Sequence, residues 1–162
     1  MTSTEFLSDS PASTEAFAAQ WAGTLAPDTA ILLRGDLGAG KTTFIRGLAR
    51  GLGITQPVRS PTFTLTHEYT IQQPPALRGL PFFHIDLYRL ETPAQLHTLG
   101  LDELFERGGV VAIEWAERLE LWSEPLSVAH RWAVRLIPLS DAQRQIVIEC
   151  LQKPPAAADT SP

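Results

Sequence analysis

The stretch GDLGAGKT, residues 35–42, decides the fold of this protein. It satisfies the pattern G-x-x-x-x-G-K-[S/T] at every fixed position. An apolar run, TAILLRG, leads into it, and a run with helical spacing of apolar residues, KTTFIRGLARGLG, continues from it. Glycines in such a turn let backbone N–H groups converge on anionic oxygens, and the next helix adds the positive end of its dipole. The stretch therefore predicts a strand, a phosphate-binding loop (P-loop) and a helix, in that order.

The loop and the first helical turn supply the predicted nucleotide contacts. Lys41 is one of only two lysines in the chain, and its ammonium would bind the β- and γ-phosphates. The hydroxyl of Thr42 would ligate Mg²⁺. The residues expected to line the phosphates with their backbone are Gly35, Leu37, Gly38, Ala39 and Gly40. The alternative interpretation is a glycine-rich turn without a ligand.

Two later strands of the predicted fold end on acids. FFHIDLYRL places Asp86 at a strand end, and VVAIEW does the same for Glu114. P-loop enzymes hold magnesium with a carboxylate on a strand beside the loop strand. Both acids could face the metal, and we favour Glu114 as the metal-side group and Asp86 as the group that orients water. In the alternative interpretation, each acid caps a helix or pairs with an arginine.

The segment RSPTFTL, residues 59–65, lies between the helix after the loop and the next strand. Nucleotide switches place a hydroxyl that senses the γ-phosphate at this point of the chain. Thr62 and Thr64 are the candidates. An ordinary threonine-rich strand accounts for the same residues equally well.

Composition and charge describe a globular chain without nucleic-acid or membrane features. The chain has 162 residues, 44% of them hydrophobic, and a net charge of −5. Its arginines are scattered, so it lacks the clustered positive charge that binds DNA or RNA phosphates. The single cysteine, the polar N-terminus and the absence of a long apolar run favour a cytoplasmic protein. We expect one domain at residues 1–151 and a flexible tail at 152–162.

Helical and strand patterns alternate along the chain, which predicts an α/β fold. Ser10 and Pro11 begin a helix that extends to about Leu25. Strand patterns follow at residues 29–35, 60–71, 81–90 and 110–115, with a short helical region before the last of them. Two further strands close the chain as a hairpin. The order predicts a mainly parallel sheet with an antiparallel C-terminal edge.

Four segments occur in a fixed order along the chain: GDLGAGKTTFIRGLARGLG, SPTFTLTHEY, HIDLYRL and IEWAERL. With them the chain closely resembles the TsaE (YjeE) family, the small bacterial ATPase of the machinery that makes threonylcarbamoyladenosine in tRNA. The resemblance covers residues 11–151. The phosphate loop alone is common, whereas its combination with SPTFT, H-x-DLYRL and IEW is much more specific. The resemblance implies a three-layer P-loop NTPase fold.

The resemblance also implies cofactors, partners and an activity. ATP and Mg²⁺ would be the cofactors, and TsaB and TsaD would be the partners, with TsaD carrying the transfer chemistry. ATP hydrolysis would be weak in the isolated protein, would depend on the TsaB–TsaD complex and would permit repeated rounds of modification. The acidic chain would reach tRNA only through these partners.

The resemblance assigns roles to the acids and to the end of the loop. Lys41, Asp86 and Glu114 would be the catalytic residues, and Asp86 would act on the attacking water. Thr42 and Glu114 would hold Mg²⁺. Thr43 would add a second hydroxyl of the loop motif.

For the segment after Glu114, the resemblance implies contacts to the base. Trp115 would be the tryptophan that follows the metal-binding acid, and residues near it, including Glu117, would flank the adenine. The family often has a proline two residues after its glutamate, where this chain has Ala116. We expect only a local change of the backbone at that position.

Three other functions are possible for a phosphate-loop protein of this size. A small-molecule kinase would need an arginine-bearing lid, and no insertion with clustered arginines is present in the sequence. A GTPase would need an N-K-x-D motif, but neither lysine follows an asparagine. A binding module would respond to the nucleotide without hydrolysing it.

The sequence assigns no definite role to the arginines and histidines near the predicted site. No arginine stands in an obvious position to assist catalysis, although Arg59 and Arg89 flank the site in the sequence. The histidines lack metal-ligand spacing and are interpreted as structural or surface residues. Among them, His84 could orient Asp86, two residues later.

Overall fold

The structure of the protein is a computed structural model that describes residues 2–61, 66–121 and 126–154. Its strands are β1 (Ser3–Ser8), β2 (Thr29–Arg34), β3 (Thr66–Thr70), β4 (Pro81–Asp86), β5 (Val110–Glu114), β6 (His130–Pro138) and β7 (Arg144–Gln152). Its helices are α1 (Pro11–Ala22), α2 (Lys41–Gly51), α3 (Pro93–Thr98), α4 (Leu101–Glu106) and α5 (Glu117–Leu121).

All these strands belong to one sheet, with the order β1-β7-β6-β2-β5-β4-β3. The central strands β6, β2, β5 and β4 are parallel. On one side β7 pairs antiparallel with β6, and β1 pairs antiparallel with β7; on the other side β3 is antiparallel to β4. The mostly parallel α/β sheet is confirmed. Its carboxyl edge brings the ends of β2, β5 and β4 together, where ligands bind in open parallel sheets.

Helices cover both faces of the sheet and complete a three-layer fold. On β2, Ile31 and Leu33 face the core that α1 and α2 cover, whereas the alternate residues face the core that α3, α4 and α5 cover. α1 and α2 can lie close together because a glycine of α2, which has no side chain, stands at the point where they meet. A β-carbon on Gly47 would lie 2.4 Å from the carbonyl oxygen of Glu15. This close contact fixes the position of α2, and of the loop before it, relative to α1.

The first two helices begin where their sequence signals predict. The Ser10 hydroxyl accepts the N–H of Ser13 at 3.0 Å, and Pro11 occupies the first position of α1. α1 ends at Ala22, earlier than the predicted Leu25. In and just after α2, the apolar stripe is fully buried as its spacing predicts: Phe44, Ile45, Leu48 and Leu52.

Two predicted strands are shorter in the structure. Within the described residues, β3 runs from Thr66 to Thr70, and Ser60, Pro61 and Ile71 of the predicted strand 60–71 lie outside it. β4 ends at Asp86 because the Asp86 carboxylate accepts the N–H of Tyr88 at 2.9 Å, which turns the chain. The switch candidates Thr62 and Thr64 lie outside the described residues, and their role stays a prediction.

The sequence does not predict β1, which lies outside the C-terminal hairpin of β6 and β7. Most of its residues are exposed; Phe6 packs against the core, and Ser8 is buried with a hydrogen bond of 2.7 Å to Thr14. The regular apolar alternation of a half-buried strand is therefore missing from STEFLS. β1 forms because β7 offers it an unpaired backbone edge, with Ser3 opposite Glu149 and Ser8 opposite Arg144.

The C-terminal strand extends slightly into the predicted tail. β7 ends at Gln152, and residues 155–162 lie outside the described part of the chain. Within the described ranges, no helix combines the length and the apolar character that crossing a membrane requires.

Candidate functional site

Residues 35–40 connect β2 to α2 at the carboxyl edge of the sheet. Gly38 (φ +80°) and Gly40 (φ +101°) lie in the left-handed region, which residues with a β-carbon rarely adopt. Gly40 is the N-cap of α2, so the loop turns directly into the helix. The Ala39 N–H donates to the Asp36 carbonyl at 3.0 Å and closes a tight turn. The loop is the compact, glycine-dependent turn that the pattern predicts.

Lys41 is the first residue of α2, and only 5% of it is exposed. Its ammonium donates to the carbonyl of Gly35 and, at 3.1 Å, to the carbonyl of Asp36. The same nitrogen lies 3.9 Å from the centroid of the Trp115 ring. The lysine is therefore held against its own loop by two carbonyls and an aromatic face.

Two opposing effects act on the charge of Lys41. Burial lowers the pKa of Lys41, because water no longer solvates the ammonium fully. The carboxylates of Glu114, Glu117 and Asp86 oppose this shift, since they favour the protonated form. A partly desolvated cation beside a cleft interacts strongly with an anionic ligand that displaces the remaining water.

Glu114 ends β5 with its side chain buried beneath the loop helix, and 3% of the residue is exposed. The Thr42 hydroxyl donates to Oε1 of Glu114 at 3.0 Å. β5 lies directly beside β2, with Glu114 opposite Leu33 in the register. The structure thus brings together Thr42 and Glu114, the two predicted magnesium ligands.

His84 contacts Glu114 and not Asp86, so the expectation that it orients Asp86 is wrong. Its Nε2 lies 2.6 Å from Oε2 of Glu114, and the imidazole is completely buried. His84 is opposite Ala112 in the register, two residues before Glu114, so the long glutamate side chain reaches back to meet it. Nδ1 of His84 is buried without a partner in the described structure. The histidine holds the second oxygen of Glu114 while Thr42 holds the first.

Replacing His84 with alanine is expected to lower the free energy of unfolding by about 2–4 kcal/mol, since it opens a cavity and leaves a buried carboxylate oxygen unpaired. The control is His67→Ala. His67 lies opposite His84 on β3 but is partly exposed, so we expect a loss below about 1 kcal/mol. Urea unfolding of both variants measures the difference, and equal losses would contradict the structural role of His84.

Asp86 lies at the mouth of the site, beside Glu114 in the register of β4 and β5. One oxygen accepts the Tyr88 N–H at 2.9 Å, and the other accepts the Ser60 hydroxyl at 2.9 Å. The Ser60 bond ties the acid to the start of the segment in which the sequence predicts a switch, and the Tyr88 bond holds it to the turn after β4. Asp86 is therefore placed apart from the bond between Thr42 and Glu114 but on the same cleft.

Two hollows flank the loop. The inner cleft, about 140 Å³, is lined by Lys41, Thr42, Asp86, Glu114 and Trp115 among others. The outer hollow, about 270 Å³, is lined by the loop, the hydroxyl residues of α2 and two arginines. A larger open hollow of about 630 Å³ shares no residue with the loop and has no acidic lining residue. The acidic side chains Asp86 and Glu114 line the inner cleft together with Lys41.

Trp115 follows Glu114 in a left-handed conformation, with φ +60°. This turn lays its ring between Lys41 and the ring of Tyr88, whose centroid is 5.0 Å away. The next residue, Ala116, donates its N–H to the Leu33 carbonyl at 3.3 Å. A proline could not make that bond, so the departure from the family pattern adds a tie between this turn and the loop strand.

Glu117 and Thr43 lie on different sides of the loop. Glu117 acts on the charge of Lys41, and its Oε2 is buried without a partner in the described structure. Thr43 lines the outer hollow. The adenine contacts of Trp115 and Glu117 stay a prediction.

Arg144 contacts the loop although the sequence does not predict it as a site residue, and Ser60 and Tyr88 line the inner cleft without being predicted either. The guanidinium of Arg144 donates to the carbonyl of Gly38 at 3.0 Å, although the two residues are 106 positions apart. Arg144 begins β7, and no local pattern marks that position as part of a site. Only the place of the hairpin beside β2 brings it to the loop.

The residues of the inner cleft fit a magnesium ion held together with a nucleotide. Among the described residues, no three His, Cys, Asp or Glu side chains form a metal cluster. Mg²⁺ beside phosphates needs only one or two protein ligands, because phosphate and water oxygens complete its shell. Thr42 and Glu114 place two oxygens of the preferred kind 3.0 Å apart.

The loop, the parallel strands beside it and the acid at the end of β5 define the P-loop class of nucleotide-binding folds. Within that class, a family model described as "Threonylcarbamoyl adenosine biosynthesis protein TsaE" matches residues 8–146. The chain therefore belongs to the TsaE family.

Curated relatives agree with this assignment. The tRNA threonylcarbamoyladenosine biosynthesis protein TsaE of Nostoc sp. strain PCC 7120 is 50% identical over 101 residues, which are 59% of this chain and 57% of that protein. The protein of the same name from Bacillus subtilis strain 168 is 46% identical over 110 residues, 68% of this chain and 65% of that protein. The matched regions thus span less than two thirds of these two relatives.

A solved structure shares the fold. The crystal structure of Bacillus subtilis YdiB superposes with a TM-score of 0.71 and 34% sequence identity. The superposition covers 93% of this chain and 86% of that one.

Proposed function

We propose that this protein binds ATP with Mg²⁺ in the inner cleft and hydrolyses it, and that this hydrolysis is required for the threonylcarbamoyladenosine modification of tRNA. One observation carries the proposal: Glu114 accepts the Thr42 hydroxyl at 3.0 Å, immediately after the loop lysine Lys41. A cation, a hydroxyl and a carboxylate are thereby placed around one small cleft. This is the set that P-loop enzymes use to bind the terminal phosphates.

Each residue of the cleft has a task in the proposed reaction. The loop N–H groups and Lys41 bind the β- and γ-phosphates and stabilise the charge that develops on them. Thr42 and Glu114 would hold Mg²⁺, which supplies further charge neutralisation when bound. Asp86 orients a water molecule for in-line attack and accepts hydrogen bonds from it. Trp115 covers Lys41 and limits its contact with bulk water.

The proposed partners are the TsaB and TsaD proteins, and the proposed location is the cytoplasm. The net charge of −5 and the scattered arginines favour recognition of tRNA through partner proteins. We propose that residues 1–151 act as one ATPase domain whose hydrolysis permits the complex to turn over repeatedly.

In the structure, both reactive groups of the cleft are engaged elsewhere. Lys41 donates to two loop carbonyls, and Asp86 accepts from Ser60 and Tyr88. Both must change partners before a water and a γ-phosphate are positioned together. The isolated chain is therefore expected to hydrolyse ATP slowly, and a partner that rearranges the segment after Ser60 would speed it.

Single-turnover phosphate release tests this proposal with the chain alone and with TsaB and TsaD present. We expect the complex to raise the rate at least about tenfold, which corresponds to about 1.4 kcal/mol of barrier. The complex reconstituted with Lys41→Ala serves as the control for contaminating ATPases. Equal rates with and without the partners would refute partner dependence, and transfer of phosphate to a metabolite would instead support a small-molecule kinase.

A further inference from the structure

The C-terminal hairpin contacts the phosphate loop at two points. A β-carbon on Gly35 would lie 2.9 Å from the carbonyl oxygen of Leu136 on β6. At the other point, Arg144 on β7 donates to the Gly38 carbonyl at 3.0 Å. The hairpin therefore forms the outer wall of the loop.

The direction of the Arg144 side chain follows from its place on β7. Alternate residues of a strand face the same side. Ile146 and Ile148 are buried in the core beneath α1 and α2, so Arg144 projects from the same face, at the end of the strand where the loop lies. Its Nε would lie 3.1 Å from a β-carbon on Gly40. The guanidinium therefore covers the loop from Gly38 to Gly40.

One peptide group transmits this contact across the loop. The peptide between Gly38 and Ala39 is planar, so its C=O and N–H point in opposite directions. Arg144 binds the C=O, while the N–H donates to the Asp36 carbonyl at 3.0 Å. The same Asp36 carbonyl accepts the ammonium of Lys41 at 3.1 Å. Arg144 and Lys41 are thus joined through a single peptide plane and one shared acceptor.

We infer that Arg144 is a positioning residue that fixes this peptide plane, and with it the closed turn of the phosphate loop, before the nucleotide binds. The inference rests on the proposed function of the loop. A loop that is already ordered loses less conformational entropy on binding, so its affinity for phosphates is higher. Because Arg144 acts on the loop and not on the γ-phosphate, its effect should be the same for ADP and ATP.

Arg135 offers a matched control on the same hairpin. It lies on β6, is about half exposed, and pairs with Glu149 at 3.2 Å on the sheet. Replacing it with glutamine removes the same charge and one contact of the hairpin. The difference between Arg144→Gln and Arg135→Gln therefore isolates the contact with the loop.

The test combines hydrogen–deuterium exchange of the nucleotide-free protein with calorimetric titration of ADP and ATP. For Arg144→Gln we expect amide exchange in residues 35–41 to be about tenfold faster. We also expect the affinity for both nucleotides to fall about tenfold, the loss of a charge-assisted hydrogen bond. Arg135→Gln should leave both measurements unchanged. Should Arg144→Gln fail to fold, Arg144→Lys, which loses the forked donor, is measured with the same expectation.

Two results would overturn the inference. One is wild-type loop exchange and wild-type nucleotide affinity in Arg144→Gln. The other is faster exchange spread over β6 and β7 without a selective effect on the loop, because that indicates a general loss of hairpin stability. If the wild-type protein binds neither nucleotide, the proposed function fails, and the exchange data alone still decide whether Arg144 fixes the loop.

Discussion

Lys41→Ala is expected to weaken MgATP binding by at least about a hundredfold. The ammonium would contact two phosphates, and hydrogen bonds to charged groups contribute about 1.5–3 kcal/mol each. A total near 3 kcal/mol corresponds to about a hundredfold in the dissociation constant. The burial of Lys41 makes the contact stronger than one at an exposed site, since less water screens the charges.

Calorimetric titration with MgATP measures this loss, and Lys153→Ala provides the control. Lys153 is the other lysine of the chain, is exposed, and follows the end of β7. Its removal changes the net charge equally but should leave the affinity within about twofold. Wild-type affinity in Lys41→Ala would mean that the loop does not bind the triphosphate through this residue.

The burial of Lys41 should also make the free energy of unfolding depend on pH, and this dependence can be measured without ATP. Burial lowers the pKa of Lys41 in the folded protein below its value in the unfolded chain. The unfolded state then binds more protons between the two pKa values, so stability rises with pH across that interval. Below the pKa of Lys41 in the folded protein, the free-energy cost of burying its charge is fully present. Above its pKa in the unfolded chain, the lysine is neutral in both states and this cost is gone. Relative to Lys41→Met, the wild type should therefore gain stability as the pH rises toward the ordinary lysine pKa, as urea unfolding at several pH values would measure.

The parts of the site that local chemistry determines were predictable from the sequence. The loop needs glycines at its left-handed positions, and Gly38 and Gly40 occupy them. The convergence of Glu114 on Thr42 was also predictable, because parallel strands beside the loop strand end at the same edge. The first inference uses the residue types of the loop motif, and the second uses the order of elements and the acid at the end of a strand.

Contacts that depend on the register and packing of distant strands were not predictable. His84 precedes Asp86 by two residues, yet it bonds Glu114 because the β4–β5 register places it beneath that side chain. Arg144 reaches the loop only because β6 pairs with β2 and carries β7 with it. β1 owes its place to the free edge of β7, which no pattern within STEFLS reveals.

Glu114→Gln is expected to lower ATP turnover in the complex with TsaB and TsaD by at least about a hundredfold. Replacing residues that merely support a metal ligand lowers metal affinity or activity about 10–100-fold, and a direct ligand should matter at least as much. Glutamine keeps the volume of the side chain and can still contact Thr42 and His84. The variant therefore removes the charge that would hold Mg²⁺ while preserving the packing of β5.

The decisive measurement is the Mg²⁺ concentration needed for tight ATP binding, because it separates the two acids without requiring turnover. If Glu114 is the metal-side acid, Glu114→Gln raises this concentration at least about tenfold, and metal-free ADP binding is unchanged. Asp86→Asn should leave the Mg²⁺ requirement near that of the wild type, since Asp86 is bound to Ser60 and Tyr88 and not to Thr42. Glu149→Gln, at a partly exposed residue on the opposite side of the sheet order from β4 and β5, controls for the loss of one negative charge. A shift in Asp86→Asn with none in Glu114→Gln would reverse the assignment, and Asp86 would then hold the metal.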